Sequence, residues 1–379
     1  MKITHFTHKY HDGWGFQDNL LPRYQQKAGD EVALISDIDH LNPTLRSTVL
    51  PKGREYWDDD LRIIRIRCYL NTKQTSLLCR GFYKRLKQEA PDLIFHHVVN
   101  SSTMVVAAFY KMFHPNTVLF VDNHADAINM TKNKVWHYCF EKGWLSFVCW
   151  LLRPLIDKYY GVTKLRCDYL HDVFHIPNSK IGLLPLGGDT DAVDAITESK
   201  EELRIKYNIP TNDFVIASGG KLDKTKGIPE LIDAYHAFKK DHPNTSLVLF
   251  GRMDEVVQNE VNKYDDITVF GWCDRRTTLS LLKMADVGVW PLLHTTLIED
   301  AVSCGTPIIV KMSDNVSHLA SDGVGVFLKR GDSDELHASL KEIHANDYSY
   351  RANAAKDKYS YHTIANQVKE DYLKCHACK

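Results

Sequence analysis

Apolar runs of strand length alternate with amphipathic segments of helix length along most of the 379-residue chain. Before residue 190 the strand-like runs are KITHFTH, EVALIS, RIIRIR, DLIFHHV, TVLFVD, YYGVTK and KIGLLPLG, and after it they are FVIASG, SLVLFG, ITVFGW, VGVWPL, PIIVKM and VGVFLK. The helix-length segments between them include Gln17–Ala28, Ser76–Glu89, Pro229–Lys240, Thr277–Ala285 and Asp334–His344. Strands that alternate with helices predict an α/β architecture, in which helices cover both faces of parallel sheets.

This number of strands exceeds what one open sheet comfortably holds, so we expect two doubly wound, Rossmann-like domains. The first covers residues 1–188 and the second residues 189–355, and residues 356–379 form a C-terminal helix that packs back toward the first domain. The polar, glycine-led segment GGDTDAVDAITESKEE, which starts at Gly187, predicts the joint. Doubly wound sheets bind ligands at the carboxyl ends of their strands, so two such domains facing each other form a binding cleft.

Composition narrows the classes of function. With 47 Lys and Arg against 48 Asp and Glu, the formal net charge is −1, which argues against a protein that coats nucleic acid. No window reaches the roughly 20 apolar residues of a membrane span. The N-terminal MKITHFTHKYHDGWG lacks the apolar core of a signal peptide. Nine scattered cysteines favour reduced thiols over a disulfide framework, so we expect a cytoplasmic protein.

Two glycines follow the first strand, in the segment HDGWGFQDN. Gly13 and Gly15 allow the backbone to approach a ligand closely, and the N-terminus of the next helix favours a phosphate. The segment is not a dinucleotide-binding fingerprint, because Asp18 stands where GxGxxG has its third glycine. A plain turn and a ligand-binding loop are equally consistent with this pattern.

A second polar turn, VDNHADA, overlaps the end of the strand-like run TVLFVD. Its Asp122, His124 and Asp126 alternate carboxylate, imidazole and carboxylate, a set that suits acid–base chemistry or metal binding. The same residues suit a capped turn, because Asp and Asn favour helix starts. Both interpretations stay open from the residues alone.

Three lysines lie in GGKLDKTKG, directly after an apolar run. Lys221, Lys224 and Lys226 would stand at the ligand-binding edge of a parallel sheet, and Pro229 suits the first turn of the next helix. The segment is not the phosphate loop GxxxxGK[ST], because Thr225 stands where that motif has a glycine before its lysine. The alternative interpretation is a cluster of solvated lysines.

A further strand-to-helix turn lies in WPLLHTTLIEDAVSCGTP. Thr295 and Thr296 can cap the helix and offer hydroxyl and amide groups to an anion. Glu299 and Asp300 stand in the first helical turn, where the helix dipole favours carboxylates. A carboxylate there could instead bind the hydroxyls of a ribose.

In their order and spacing these segments resemble glycosyltransferase family 4, the retaining sugar transferases of the GT-B fold. GWGFQDNLLPRYQQKAGDEVALIS resembles the family's first glycine loop, helix and GHEV strand, and LPLGGD resembles its LPNGVD joint. GGKLDKTKG resembles the GRLxxxKG donor loop, with Lys221 in place of the usual Arg. IEDAVSCGTPIIV resembles LEAMACGLPVV, which aligns Glu299 with the second glutamate of the family's pair. The resemblance runs through the whole chain.

The resemblance implies a GT-B fold in which the second domain binds a nucleotide-sugar donor. Gly220, Lys221 and Lys226 would hold its diphosphate, and the lysines would stabilise the negative charge that develops on this leaving group. Glu299 would bind the ribose hydroxyls.

For the first domain, the resemblance implies the acceptor side. The loop from Gly13 to Gly15 would close over the phosphates, and His124 would contact the donor sugar beside the reaction centre. No side-chain nucleophile is assigned, since a donor phosphate oxygen is thought to take the acceptor proton in retaining enzymes of this fold.

One departure from the family concerns the donor sugar. Family members commonly carry two glutamates separated by seven residues, but Pro291 stands eight positions before Glu299. The usual contact of the first glutamate with the sugar is therefore missing. His294 or the amides of Thr296 and Leu297 are the candidates to replace it.

These implications predict a hexosyltransferase that moves a sugar from a UDP- or GDP-linked donor to a saccharide or lipid-linked saccharide. By family analogy we expect it in bacterial surface polysaccharide synthesis. We expect no metal or other cofactor, because DDD at residues 58–60 has no matching context. The acceptor-site candidates are CRGFYKRLKQEA and WHYCFEKGWLSFVCW, whose Trp136, Trp144, Phe147 and Trp150 could dock to the inner face of a membrane. A buried helix is the alternative for the aromatic segment.

Two other functions stay open. A nucleotide-sugar epimerase of the same two-domain fold would need acid–base groups around the sugar, which Asp122, His124 and Asp126 could supply in part. A non-catalytic subunit that binds a sugar nucleotide would explain the missing first glutamate, but Lys226 and Glu299 argue against it.

Overall fold

The computed structural model describes residues 1–38, 54–71, 76–99, 101–124 and 142–377. The chain divides into two compact units, one of Met1–Pro185 with His362–Lys379 and one of Leu186–Tyr361. We call them the N-terminal unit and the C-terminal unit. The sequence analysis placed the two boundaries after residues 188 and 355.

The described part of the N-terminal unit contains a nine-stranded sheet. Its strands are β1 Lys2–Thr7, β2 Glu31–Asp37, β3 Glu55–Asp58, β4 Leu61–Asn71, β5 Ser76–Arg80, β6 Leu93–His97, β7 Val118–Asn123, β8 Lys158–Gly161 and β9 Ile181–Leu183. They lie in the order β3-β4-β2-β1-β6-β7-β8-β9, with β5 paired to β4. Strands β6 and β7 are buried at every position, as expected for central parallel strands covered on both faces.

Before Pro185, the described residues of this unit form the helices α1 Gln17–Lys27, α2 Phe82–Glu89, α3 Ser102–Phe113, α4 Ser146–Leu152 and α5 Lys164–Asp172. The helix expected over Ser76–Glu89 was wrong in its first half, because Ser76–Arg80 instead pairs antiparallel with β4. Gly81, at φ 90°, makes the break between that strand and α2. The antiparallel edge strand β3 was also not predicted. It ends at Asp58, and Asp59 and Asp60 form its turn into β4.

The described part of the C-terminal unit contains a six-stranded, all-parallel sheet. Its strands are β10 Phe214–Leu222, β11 Thr245–Met253, β12 Ile267–Phe270, β13 Val287–Trp290, β14 Ile308–Lys311 and β15 Gly325–Leu328, in the order β12-β11-β10-β13-β14-β15. This is the doubly wound order, and it reverses between β10 and β13, where such sheets bind ligands. All the strand-like runs singled out in the sequence form strands, so the predicted α/β architecture is confirmed.

The helices of the C-terminal unit are α6 Thr190–Asp194, α7 Lys200–Lys206, α8 Ile228–Asp241, α9 Glu255–Val261, α10 Arg275–Met284, α11 Leu297–Ser303, α12 Ser317–Ser321, α13 Ser333–Ala345 and α14 Ser349–Lys358. Helix α7 begins with a capping box between Ser199 and Glu202. Pro229 is the second residue of α8, where a missing amide hydrogen costs no helical bond.

The final helix, α15 Tyr361–Ala377, joins the N-terminal unit from His362 onward. Asp371 on this helix accepts from Lys158 Nζ at 2.5 Å and from Tyr160 Oη at 2.8 Å, both on β8. Gln367 Nε2 donates to the carbonyl of Leu183 at 2.8 Å. These contacts tie α15 to the edge of the nine-stranded sheet.

Two cysteines of the N-terminal unit are joined, in contrast to the reduced thiols that we expected. Cys68 on β4 and Cys79 on β5 are directly opposite in the antiparallel pairing and form a disulfide. Among the described residues, no helix combines the length and the apolar content that crossing a membrane requires.

Candidate functional site

The glycine-lysine loop at the end of β10 packs against the start of α11. Gly220 has φ 110°, a conformation that L side chains rarely adopt, and a Cβ there would lie 3.3 Å from Leu297 Cδ1 and 3.7 Å from Thr295 Oγ1. Three predicted donor-site residues are therefore neighbours at the switch point of the C-terminal sheet, and the glycine permits this close approach.

A contact chain links three more predicted residues at the same edge. Lys226 Nζ donates to the carbonyl oxygen of His294 at 3.4 Å, and His294 Nε2 lies 2.8 Å from Glu299 Oε1. Burial lowers the pKa of the half-buried Lys226 ammonium, although Asp223 opposes this effect. A partly desolvated cation thus lies close to a buried carboxylate, separated by the backbone and ring of His294.

Glu299 is buried, with 1% of its surface exposed, and its Oε2 has no hydrogen-bond partner among the described residues. Burial alone would raise the pKa of Glu299, but the neighbouring His294 and His318 lower it overall. A buried carboxylate oxygen without a donor is costly unless a ligand or water supplies one. The arrangement therefore suits hydroxyl donors.

His318 is a site residue that the sequence analysis missed. It lies on α12, and its two ring nitrogens are buried without a hydrogen-bond partner among the described residues. Burial lowers the pKa of His318, and the charge of Glu299 opposes that shift. The signal was the segment SDNVSHLASDG, another strand-to-helix turn at the carboxyl edge, which was not singled out.

Other predicted residues lie outside this chain of contacts. The side chain of Lys221 is 77% exposed, and its Nζ lies 3.1 Å from Asp223 Oδ2. Lys224 is exposed as well.

Thr296 occupies the N-cap position of α11, but its side chain accepts no capping hydrogen bond, which corrects the expected capping role. Asp300 pairs bidentately with Arg275, at 2.6 and 2.8 Å. This ion pair, in addition to the helix dipole, accounts for a carboxylate in the first turn of α11.

Pro291, at the position of the family's first glutamate, fills the space beside the lysine loop. It is buried, and a Cβ on Gly227 would lie 3.0 Å from Pro291 Cβ. The backbone carbonyl of Pro291 likewise abuts Gly331. At this position a proline without a carboxylate therefore packs against the lysine loop.

In the N-terminal unit, the glycine loop after β1 is held by a buried arginine. Arg65 is 1% exposed and donates to the carbonyl of Tyr10 at 3.2 Å and to the hydroxyl of Tyr56 at 2.7 Å. Gly13 has φ 73° and open space where a side chain would be, while Gly15 is partly buried. The predicted loop is thus anchored at its base and open at Gly13.

Two polar side chains follow this loop in the first turn of α1. Gln17 is 4% exposed, and neither of its amide atoms has a hydrogen-bond partner among the described residues. Asp18 accepts from Thr7 Oγ1 at 3.0 Å, and burial raises the pKa of its carboxyl. Gln17 was not predicted, since a glutamine at a helix start carries no distinctive pattern.

His124 lies at the end of a buried line of polar groups. Its Nε2 is 3.3 Å from Asp122 Oδ2, which is 2.7 Å from His97 Nδ1. His97 Nε2 is 3.1 Å from His5 Nδ1, and His5 Nε2 is 2.6 Å from Gln25 Oε1. We call this line, from Gln25 to His124, the histidine relay. It joins the neighbouring strands β1, β6 and β7.

The charges of the histidine relay follow from burial and contact. Burial would lower the pKa of His97, but Asp122 raises it overall, and His97 with His124 outweigh burial to hold the pKa of Asp122 well below its usual value. Burial and the charge of His97 lower the pKa of His5 to about 3. His97 and Asp122 thus each favour the charged form of the other, beside a neutral His5.

The same atoms could hold a metal ion. One ligand atom each of His97, Asp122 and His124 lies within 4.8 Å of the others. The carboxylate oxygen already lies within hydrogen-bond distance of His97, so the arrangement is also complete without an ion. Asp126 lies outside the described residues.

These groups can be compared with known proteins. Residues 199–361 match the family model of glycosyl transferases group 1. The match contains the lysine loop, His294, Glu299 and His318, so it covers the part of the predicted donor site that lies in the C-terminal unit. The match is to glycosyl transferases group 1 and does not test the narrower assignment to family 4.

Two curated proteins are similar over part of the chain. The alpha-monoglucosyldiacylglycerol synthase of Acholeplasma laidlawii is 25% identical over 202 residues, which are 47% of this chain and 48% of that protein. An uncharacterized glycosyltransferase of Methanocaldococcus jannaschii is 22% identical over 241 residues, 60% of this chain and 57% of that protein. The chain thus spans about half the length of the curated relatives it matches.

Solved structures resemble the whole chain. Sucrose-phosphate synthase of Thermosynechococcus elongatus has a TM-score of 0.70 at 16% identity and 100% coverage of both chains. Anabaena HepE in complex with UDP has a TM-score of 0.69 at 15% identity, covering 99% of this chain and 100% of that one. UDP-GlcNAc 2-epimerase of Neisseria meningitidis, bound to UDP-GlcNAc, has a TM-score of 0.63 at 15% identity, with 99% and 100% covered. These likenesses show the fold, GT-B with two Rossmann-like domains.

One surface of the N-terminal unit is strongly apolar. Trp144, Phe147, Trp150 and Leu151, on or beside α4, are 58%, 52%, 53% and 57% exposed. Leu145, Cys149 and Leu152 face the core instead. We call the four exposed residues the aromatic face. The helix is thus buried on one side only, and docking of its exposed side to a membrane stays a prediction. Trp136 lies outside the described residues.

Proposed function

We propose that this protein is a retaining glycosyltransferase that moves a hexose from a UDP- or GDP-linked donor to a saccharide or a lipid-linked saccharide. The observation that carries this proposal is the chain from Lys226 through His294 to the unpartnered carboxylate oxygen of Glu299. It lies at the switch point of a doubly wound sheet, in the segment that matches glycosyl transferases group 1.

The chemistry of this site fits departure of a diphosphate. As the bond from the anomeric carbon to the phosphate oxygen breaks, negative charge grows on the diphosphate. A cation that is already partly desolvated, such as Lys226, stabilises that charge with little reorganisation. Lys221 is exposed, and we propose that its side chain turns from Asp223 toward the phosphates. Gly220 leaves room for their approach.

Glu299 and its two imidazole neighbours would bind the ribose. The unpartnered Oε2 of Glu299 accepts a hydroxyl proton, while His294 keeps the carboxylate ionised and in place. With Pro291 in place of a glutamate, we propose that His294 and the amides of Thr296 and Leu297 meet the donor sugar.

In the N-terminal unit we propose that His124 contacts the donor sugar and that the Gly13 to Gly15 loop approaches the phosphates. The histidine relay supports this role for His124, because Asp122 fixes one ring nitrogen and leaves the other for a substrate hydroxyl. The unpartnered amide of Gln17 is a further group suited to a sugar hydroxyl.

We further propose that the donor step needs no metal, because lysines supply the positive charge. For the acceptor we favour a lipid-linked saccharide of bacterial surface polysaccharide synthesis, reached by peripheral contact of the aromatic face with the inner membrane surface. The relative from Acholeplasma laidlawii, named for a glucosylated diacylglycerol, supports a lipid-linked acceptor.

A screen of nucleotide sugars tests the proposal. Thermal unfolding is measured with UDP- and GDP-linked hexoses, and the donor giving the largest rise in midpoint is then assayed for turnover with lipid-linked and free saccharides. We expect one nucleotide class to stabilise the protein and to release nucleoside diphosphate only with acceptor. No stabilisation by any donor would refute the proposal.

A second candidate function is a nucleotide-sugar epimerase. It is favoured by the acid–base character of the N-terminal groups, where Asp18 has a raised carboxyl pKa and His97 a raised imidazole pKa. Incubating a UDP-linked sugar without acceptor separates the two functions. An epimerase converts the sugar while UDP stays attached, whereas a transferase leaves the donor sugar unchanged.

A further inference from the structure

A cysteine pair and a histidine converge at the carboxyl edge of the N-terminal sheet, apart from the histidine relay. Cys68 lies on β4 beyond the point where that strand leaves β2, whose last paired residue faces Ile66. Its opposite partner on β5 is Cys79. His8 follows β1 directly, so it reaches the same edge from a different strand.

The three side chains form a compact donor set. One ligand atom of each lies within 4.8 Å of the other two. His8 and Cys68 are 4% exposed, and Cys79 is partly buried. Paired residues of an antiparallel ribbon present their side chains on one face, so both sulfurs point to the same side of the ribbon.

We propose that, in the reduced protein, His8, Cys68 and Cys79 bind a zinc-class divalent cation, and that the disulfide is the alternative, metal-free state of this site. Two thiolates with one imidazole are the ligands that Zn²⁺ prefers over Mg²⁺ or Ca²⁺. With bond lengths of about 2.3 Å to sulfur and 2.0–2.1 Å to nitrogen, a tetrahedral ion separates its ligand atoms by about 3.3–3.8 Å. That spacing lies within the span of this donor set.

The disulfide state and the zinc-bound state exclude each other, because Zn²⁺ binds thiolates and the two sulfurs of a disulfide are not thiolates. Reduction adds two electrons and two protons to the disulfide, and a dithiol reductant supplies them while becoming a disulfide itself. Zn²⁺ then displaces the two thiol protons and takes the imidazole as its third ligand. A water molecule completes four-coordination, as in zinc sites with three protein ligands.

The test is zinc stoichiometry. Protein reduced with dithiothreitol, freed of reductant and equilibrated with Zn²⁺ should retain one ion per chain by elemental analysis, whereas protein oxidised with diamide should retain none. Cys68→Ser/Cys79→Ser should abolish retention, and His8→Gln should weaken affinity at least about tenfold by loss of one ligand. Cys273→Ser, which alters a thiol of the C-terminal unit, is the matched control and should bind as the wild type does.

Two further measurements address misfolding of the variants and zinc binding at the histidine relay. Reduced wild-type protein with Co²⁺ should show the near-ultraviolet absorption of thiolate-to-cobalt charge transfer, and its absence would overturn the proposal. His97→Gln should keep its zinc, because the proposed ligands lie outside the histidine relay. Retention of zinc by Cys68→Ser/Cys79→Ser would place the ion elsewhere and refute the assignment.

Discussion

Glu299 combines deep burial, a lowered pKa and one oxygen without a partner among the described residues. If that oxygen accepts a ribose hydroxyl, the bond exists in both the ground state and the transition state and chiefly affects binding. Glu299→Gln should then weaken UDP or GDP binding by about 1.5–3 kcal/mol, the worth of hydrogen bonds to a charged group.

Titration calorimetry measures this effect, with thermal unfolding as the control for the buried site. An unchanged affinity in a folded variant would remove Glu299 from the nucleotide site. It would leave the carboxylate as a structural partner of His294.

The lysine loop gives a second prediction with a control inside the same loop. Lys226→Ala should lower turnover by about 10²–10³, the scale of losing one preorganised charge-stabilising group. Lys224→Ala should be nearly silent, because that side chain is exposed. Lys221→Arg should keep most activity, while Lys221→Ala should not.

Steady-state kinetics on these four variants measure the change in turnover, and circular dichroism confirms that each variant is folded. Equal damage from Lys224→Ala and Lys226→Ala would show that the roles within the loop are misassigned. Four variants near wild type would leave the loop as a cluster of solvated lysines.

The buried pair of His97 and Asp122 should make stability depend on pH. Folding raises the pKa of His97 above its ordinary 6.5, so its contribution is fully present below 6.5 and is lost as pH rises through the folded pKa. Asp18 also raises the pKa of His97, His124 lowers the pKa of Asp122, and the buried His5 lies 3.1 Å from His97.

The difference in unfolding free energy between wild type and His97→Gln isolates His97. Measured by urea denaturation from about pH 6 to pH 9, it should shrink as pH rises. A difference that stays constant over this range would mean that His97 is neutral in the folded protein.

At the scale of elements, strand-to-helix turns could be predicted because apolar runs followed by Gly, Asp or Thr mark the carboxyl ends of buried strands. The sequence therefore led to Lys226, His294 and Glu299. It could not lead to His5 with His97, because their contact depends on which strands become neighbours, and 92 residues separate them in the chain.

Other residues escaped prediction for local reasons. Ser76–Arg80 has no helix-breaking residue before Gly81, and its strand conformation comes from pairing with β4. His318 lies on a short helix after β14, where only burial of its ring nitrogens reveals a role. Such features arise from tertiary packing, which overrides local propensity.

The aromatic face gives a prediction for α4. Replacing Trp144, Phe147 and Trp150 together by Ala should weaken binding to vesicles that contain anionic lipid by at least about tenfold, corresponding to about 1.4 kcal/mol of lost apolar contact. Trp272→Ala is the matched control, because that side chain is 77% exposed and belongs to the C-terminal unit.

Vesicle co-sedimentation measures both variants. Equal binding by the triple variant and the wild type would show that the aromatic face does not contact lipid. Contact with a protein partner would then be the alternative role of its exposed rings.

For the whole molecule, we expect catalysis without an added metal. Activity should survive EDTA, and Mg²⁺ or Mn²⁺ should not raise it, because lysines rather than an ion would neutralise the diphosphate. The same assay is run on Cys68→Ser/Cys79→Ser, which lacks the two proposed thiolate ligands of zinc. In this variant EDTA cannot change activity by removing zinc from that site. Complete loss in EDTA that Mg²⁺ or Mn²⁺ restores in that variant would contradict a metal-free donor step.

The return of α15 to the N-terminal unit has a consequence for biosynthesis. A ribosome delivers all of residues 186–361 before it delivers Asp371, the partner of Lys158 and Tyr160. Domains generally fold as units while the chain emerges. The C-terminal unit can therefore reach its final form first, while the N-terminal unit stays open at its β8 and β9 edge until α15 has been synthesised. Loss of the contacts of α15, which is synthesised after the whole C-terminal unit, would thus damage the unit that is synthesised first.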